Sequence, residues 1–235
     1  MSQQNGVTHS SHRKDLGRLH IYCISGLASD ERIFAKCQFP GYEVHYIKWI
    51  IPTENESIGS YANRLVQQIY HPNPILIGLS FGGIMSIEIS KQINVEFIIL
   101  VSSVKSLMEM PVWMRLAGKL KLNKIFSMKP YNFLEPLQDN NLSLESADEK
   151  ILVHEYRKNA NPVYIKWAIN EIINWKHILT STKIYHIHGD KDRIFPIKNI
   201  KSDYTISGGH LMILNRSEKI NECINSILKN HKADC

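Results

Sequence analysis

Cysteine is scarce in this sequence, and that scarcity excludes two kinds of protein. The 235 residues contain four cysteines and no C-x-x-C pair. Four are too few for a disulfide scaffold, and their spacing suits no zinc site. A reducing compartment is the simpler expectation, so we predict a cytoplasmic protein.

Long hydrophobic runs are also missing. The longest uncharged apolar stretch, residues 75–87, contains Ser80 and Ser86, whereas a membrane-spanning helix needs about 18 apolar residues. Residues 1–18 lack the apolar segment of a secretory signal and are interpreted as a polar leader. With 43% hydrophobic and 21% charged residues, the composition excludes a disordered chain, a collagen and a coiled coil.

The net charge is +6, but the basic residues are not arranged in a nucleic-acid-binding pattern. The lysines are scattered, and no basic face alternates with aromatic residues, so we expect no nucleic-acid partner. Residues 105–130 are the exception, with six basic residues against Glu109 alone. This stretch is either a solvated helix face or a surface that steers an acidic acyl-carrier protein or coenzyme A.

Short apolar runs alternate with longer helical patterns, which indicates β-α-β units and a parallel sheet. We therefore predict an α/β protein with about six, mostly parallel, strands. The predicted strands are residues 19–25, 42–49, 74–79, 96–102, 183–188 and 203–206. The predicted helices lie near residues 30–37, at 57–70, from 81, at 162–175 and at 217–229.

The alternation stops between residues 104 and 160, where helical patterns occur without a convincing strand. This segment is interpreted as a helical cap inserted over the end of the sheet. The predicted organisation is thus a leader at 1–18 and one domain at 19–235 that carries the cap.

The most informative motif is GLSFG at residues 78–82, where a buried strand meets a helix. This G-x-S-x-G pattern is typical of a serine held in a tight strand-to-helix turn, in which side chains at the two glycines would clash. The alternatives are a chance turn and a phosphate loop. No G-x-G-x-x-G or G-K-[ST] pattern is present, which disfavours nucleotide binding.

A nucleophilic serine needs a base and an acid that orients the base. HGDKDRIFP at residues 188–196 follows the fifth strand, and SGGH at 207–210 follows the sixth. The carboxyl ends of parallel strands share one edge of the sheet, which is where ligands bind in such folds. The serine, an aspartate and a histidine are therefore expected to converge.

Together with Ser25-Gly26-Leu27 after the first strand, these motifs resemble the α/β-hydrolase superfamily, as a small serine esterase-like member, over nearly all of residues 19–230. The resemblance implies that Ser80 is the nucleophile, His210 the base and Asp192, rather than Asp190, the acid. It also implies an oxyanion hole formed by the backbone N–H groups of Leu27 and Phe81. Many relatives carry His-Gly where this chain has Ser25-Gly26. His186 and His188 lie in or at the end of the fifth predicted strand and are interpreted as structural.

The implied activity is hydrolysis of a small-molecule acyl ester through an acyl-enzyme, with no cofactor. No metal site is predicted, because the spacing of His9, His12 and His20 fits no known one. Apolar cap residues are expected either to line an acyl pocket or simply to pack the cap: Met108, Trp113, Met114 and Phe133. The alternatives are a thioesterase acting on acyl groups bound to coenzyme A or a carrier protein, a lyase or acyltransferase, and a ligand-binding receptor.

Overall fold

The computed structural model describes residues 19–120, 135–178 and 181–234. Its centre is a six-stranded sheet in the order β2-β1-β3-β4-β5-β6, and every neighbouring pair is parallel. The predicted six-stranded parallel sheet is confirmed. The strands are β1 (His20–Ile24), β2 (Glu43–Ile47), β3 (Ile75–Leu79), β4 (Phe97–Val101), β5 (Ile184–Gly189) and β6 (Tyr204–Ile206).

Three of the four inner strands, β1, β3 and β4, are buried at every residue. Such strands read as continuous apolar runs because both faces of a parallel sheet are covered. One core cluster includes Ile77, Ile99 and Ile224, and a second includes Leu76, Ile98 and Ile84. Alternate residues of β3 and β4 thus belong to different clusters, one on each face of the sheet.

Four helices lie where the sequence predicts them, with differences of a few residues at their ends. They are α1 (Ile58–Val66), α2 (Phe81–Ser90), α6 (Pro162–Asn174) and α8 (Ser217–Asp234). Ser57 is the N-cap of α1, its side chain accepting from the Ser60 N–H. This helix is shorter than predicted because its last turn tightens, with Gln68 N–H donating to Leu65 O at 3.0 Å.

The insertion after β4 is helical in its described parts. It contains α3 (Val112–Lys119), α4 (Glu135–Leu142) and α5 (Ala147–Asn159), and residues 104–120 and 135–160 contain no strand. A capping box between Ser146 and Glu149 starts α5. Val153 and Tyr156 of α5 join the first core cluster, and α3 contacts α6. The role of residues 104–160 as a cap stays a prediction.

The strand order determines where a ligand can bind. β1 pairs with β2 on one side and β3 on the other, so the chain builds the sheet outward in both directions from β1. The loops after β1 and β3 separate there and leave a crevice at the carboxyl edge.

A short helix, α7 (Met212–Asn215), follows the loop after β6. In the described ranges, no helix has the length and apolar character needed to cross a membrane.

Candidate active site

Ser80 occupies the turn between β3 and α2 in a strained backbone conformation. Its φ is 52° and its ψ is −117°. Residues other than glycine rarely adopt these backbone angles, which cost roughly 1–3 kcal/mol of stability. Two hydrogen bonds hold the turn: Ser80 N–H donates to Val101 O at 3.0 Å, and Ser103 Oγ donates to Ser80 O at 2.7 Å. This turn places Ser80 at the carboxyl edge of the sheet, between the last residue of β3 and the first of α2.

Two glycines make this turn sterically possible. A Cβ on Gly78 would lie 2.5 Å from Gly82 O, and a Cβ on Gly82 would lie 2.1 Å from Ile24 O. Both obstacles are backbone atoms, which cannot move aside as a flexible side chain can. The G-x-S-x-G pattern therefore reflects a close approach between the start of α2 and the ends of β1 and β3.

The three predicted triad side chains meet at hydrogen-bonding distances. Ser80 Oγ lies 2.9 Å from His210 Nε2, and His210 Nδ1 lies 2.8 Å from Asp192 Oδ2. An ionised carboxylate only accepts hydrogen bonds, so Nδ1 carries the proton and Nε2 accepts from the serine hydroxyl. Asp192 and His210 are both buried, with 4% and 3% exposure, so water competes little for this contact.

The Asp192 carboxylate is fixed by the turn that contains it. Its Oδ1 accepts from the backbone N–H groups of Ile194 and Phe195, each at 2.8 Å. Burial of the carboxyl group opposes its ionisation, but its electrostatic and hydrogen-bonding interaction with His210 and the hydrogen bond from the Phe195 N–H outweigh burial. The pKa of Asp192 is therefore lowered, and the group stays ionised, as an acid that orients a histidine must.

Asp190 has a different contact. Its Oδ1 accepts from Gly208 N–H at 3.0 Å, and its own N–H donates to Ile206 O. Asp190 thus links the loop after β5 to the loop that carries His210. The structure places Asp192, and not Asp190, against the imidazole.

The two histidines interpreted as structural form a chain behind the carboxylate. His188 Nε2 lies 2.8 Å from Phe195 O and 3.4 Å from Asp192 Oδ2, while its Nδ1 lies 3.2 Å from His186 Nε2. Burial lowers the pKa of both imidazoles, that of His186 most strongly. Both stay neutral, with His188 donating to the Phe195 carbonyl.

The two predicted oxyanion donors lie at the start of α2 and in the loop after β1, which meet at Ser80. Phe81 begins α2, so its N–H is among the first amides of a helix, which lack an intrahelical acceptor and lie at the positive end of the helix dipole. Leu27 follows Gly26, at which a Cβ would lie 3.6 Å from Ser80 Cβ. Trp49 secures this second loop, with Nε1 donating to Ser25 Oγ at 2.9 Å.

The insertion contacts the loop that carries His210. Leu211 N–H donates to Leu142 O at 3.1 Å, and Asn215 Nδ2 donates to Ser143 O at 3.0 Å. Ser143 lies so close to Gly209 that a Cβ there would meet its Oγ at 1.9 Å. The end of α4 and the residue that follows it therefore pack directly beside the loop that carries His210.

The structure buries one of the predicted pocket residues and exposes two others. Met114 is buried in the same core cluster as Phe81, whereas Met108 and Trp113 are exposed at 68% and 61%. Phe133 lies outside the described residues. Their common role as an acyl pocket stays a prediction.

A groove of about 280 Å³ lies next to the loop after β1. Its walls come from that loop, from the end of β2 and from the turn between α5 and α6, and include Ser29, Trp49, Tyr156, Asn161 and Tyr164. Ser80, Asp192 and His210 are all among the described residues and do not line this groove. The groove therefore lies beside the triad and does not contain it. Sequence reasoning missed these residues, because only the fold brings the end of β2 against α5 and α6.

The chain resembles known proteins in structure rather than in sequence. No family model matches the chain, and no curated protein matches it either. Solved structures do match. An esterase from Thermogutta terrifontis superposes with a TM-score of 0.68 at 14% identity, covering 90% of each chain. An Exiguobacterium antarcticum esterase gives 0.66 at 16% identity over 90% of this chain and 92% of that one.

The third match is a bromoperoxidase from Bacillus anthracis, with a TM-score of 0.66, 16% identity and coverage of 90% of this chain and 92% of that one. The chain has the α/β-hydrolase fold. Identities this low extend the likeness to the fold alone, and α/β-hydrolase folds host several chemistries. The function of the chain therefore depends on the residues of its own site.

Proposed function

We propose that the protein is a serine hydrolase that cleaves carboxylic esters of small molecules. The supporting observation is the continuous contact from Ser80 Oγ through His210 to Asp192, at 2.9 Å and 2.8 Å, on a strained turn at the carboxyl edge of the sheet. Esterase neighbours with the same fold agree with this assignment. The proposed reaction needs no cofactor.

In the proposed mechanism, Ser80 Oγ attacks the ester carbonyl while His210 Nε2 takes the hydroxyl proton. Asp192 orients the imidazole and stabilises its charged form. The Leu27 and Phe81 N–H groups donate to the oxyanion, and one such donor is worth about 3 kcal/mol. His210 then protonates the leaving alcohol. Water, deprotonated by His210, hydrolyses the acyl-enzyme and releases Ser80.

The groove beside the loop after β1 is the proposed site for one side of the ester. Its walls combine the Trp49 and Tyr164 rings with polar groups of Ser29 and Asn161, the mixture expected of a small-molecule site. At about 280 Å³, it fits a short group better than a long acyl chain.

A thioester of coenzyme A or of an acidic carrier protein stays the alternative substrate. The described part of the basic stretch gives it little support, since the Lys105 ammonium already contacts Glu109 and the Lys201 carbonyl oxygen. Poor turnover of simple esters beside salt-sensitive turnover of acyl thioesters would favour this alternative.

The deciding experiment is hydrolysis of p-nitrophenyl esters from acetate to long acyl chains by the full chain. We expect a preference for short chains and a loss of kcat of at least about 1,000-fold in Ser80→Ala. Ser60→Ala, an exposed serine on α1, is the matched control and should leave kcat unchanged. A fluorophosphonate should label the wild type once, at Ser80. Activity that survives Ser80→Ala would overturn the proposal, and tight ligand binding without turnover would indicate a receptor.

A further inference from the structure

Three histidines form a cluster at the amino-terminal edge of the sheet, away from Ser80. His20 begins β1, His45 lies in β2, and His71 lies in the turn before β3. One ring nitrogen from each lies within 4.8 Å of the others. Because β1 runs toward the Ser80 edge, the length of the strand separates the two sites by about 13 Å or more.

The nitrogen spacing in this cluster matches metal coordination. His20 Nδ1 lies 3.2 Å from His45 Nε2, and two nitrogen ligands of a tetrahedral ion with bonds of about 2.0–2.1 Å lie about 3.3–3.4 Å apart. The Glu43 carboxylate is 3.9 Å from His20 Nδ1 and 4.0 Å from His45 Nε2. Its side chain is half exposed, so it can move inward to become a fourth ligand.

Tyr22 provides the support that a metal-binding histidine usually has. Its hydroxyl oxygen lies 2.8 Å from His71 Nδ1 and accepts from Tyr70 N–H at 3.0 Å. Metal ligands of this type commonly donate their second ring N–H to a fixed acceptor, which leaves the other nitrogen for the ion. Tyr22 is fully buried, so it holds this acceptor in place and presents His71 Nε2 as the ligand atom.

The ring packing within the cluster must change for this arrangement to form. The His20 and His71 rings are stacked, with centroids 3.4 Å apart and planes 8° apart, so the His71 ring must turn for both nitrogens to face one ion. His71 is only partly buried and borders an open groove of about 420 Å³. The His71 ring can therefore turn without moving the core.

We propose that His20, His45, His71 and Glu43 bind one divalent transition-metal ion, with Zn²⁺ the best fit. Three imidazoles and one carboxylate suit Zn²⁺, whereas Ca²⁺ and Mg²⁺ take oxygen ligands. The ion joins β1, β2 and the turn before β3, so its role is to stabilise this edge of the fold. The proposal is independent of ester hydrolysis.

The test is calorimetric titration of the metal-free full chain with ZnCl₂. We expect about one Zn²⁺ per chain, with affinity reduced at least about 100-fold in His45→Ala and in His71→Ala, and about 10–100-fold in Tyr22→Phe. Two controls should bind as the wild type does: His154→Ala, an exposed histidine on α5, and the double variant His9→Ala/His12→Ala.

A surface variant and a second measurement guard against variants that fold poorly. Glu43→Gln changes an exposed side chain, so it should fold normally and still bind Zn²⁺ more weakly. Zn²⁺ should also raise the thermal unfolding midpoint of the wild type and both controls, because a ligand that binds only the folded state stabilises it, and the rise should vanish in His71→Ala. Absence of wild-type binding, or binding retained in both His45→Ala and His71→Ala, would overturn the proposal.

Discussion

His188 Nε2 lies 3.4 Å from Asp192 Oδ2, the same carboxylate oxygen that His210 Nδ1 contacts at 2.8 Å. His188 also contacts the Phe195 carbonyl, and the Phe195 N–H in turn donates to Asp192 Oδ1. One buried imidazole therefore touches both the proposed catalytic acid and the turn that orients it. We interpret His188 as a positioning residue.

Replacing His188 tests this interpretation. In His188→Leu, whose side chain has no donor, the Phe195 carbonyl loses its hydrogen bond, so the free energy of unfolding should fall by about 1–3 kcal/mol. The turn around Asp192 should also loosen and lower kcat roughly 10-fold at an unchanged KM. Ester kinetics and urea unfolding measure both effects, with His177→Leu, at a half-buried histidine after α6, as the control. A destabilised variant with full kcat would leave His188 a purely structural role.

The two aspartates after β5 offer a matched pair of variants. Asp192→Asn keeps the shape of the side chain but removes the charge that holds His210 in its working tautomer, so kcat should fall about 10⁴-fold. Asp190→Asn retains an oxygen for the Gly208 N–H and should keep kcat within a few-fold of the wild type. Steady-state kinetics with one p-nitrophenyl ester decides between them. Equal losses in the two variants would contradict the assignment of the acid.

The sequence predicts the sheet and the convergence of the motif residues because both depend on local patterns. Continuous apolar runs identify β3 and β4, and glycines flank Ser80 where the backbone must approach closely. Other features depend on strand register and loop packing. β1–β2 pairing places His20 opposite Glu43 and Tyr22 opposite His45, which no sequence period indicates. Trp49 reaches Ser25 across 24 residues, so the groove beside it could not be predicted either.

Buried neutral histidines make stability depend on pH. Burial lowers the pKa of His188, and burial together with the nearby Lys105 ammonium lowers that of His186. The unfolded chain takes up protons at the ordinary pKa of about 6.5, whereas the folded chain does not. The stabilisation is therefore complete above about pH 6.5 and is lost as the pH falls, by up to about 1.4 kcal/mol per pH unit for each histidine.

Urea unfolding at about pH 7.5, 6.5 and 5.5 measures this slope. The His45 and His177 imidazoles, whose pKa values are also lowered by burial, add to it with the same sign. His186→Gln should reduce the slope by the contribution of one histidine. A wild-type free energy of unfolding that stays constant over this range would contradict the prediction, as would a variant as steep as the wild type.

The strain at Ser80 predicts an inverted order of stability between two substitutions. Ser80→Ala and Ser80→Gly both remove the hydroxyl that contacts His210, so both should be inactive, but only glycine adopts a φ of 52° without a steric cost. Glycine loses more chain entropy on folding, but the relief of strain should outweigh that loss. Ser80→Gly should therefore be more stable than Ser80→Ala by about 1 kcal/mol. Ser86 lies in the interior of α2, where the order should be normal, with Ser86→Ala about 1 kcal/mol more stable than Ser86→Gly. Chemical denaturation of the four variants compares the two positions directly, and the same order at both would show that the turn stores no strain.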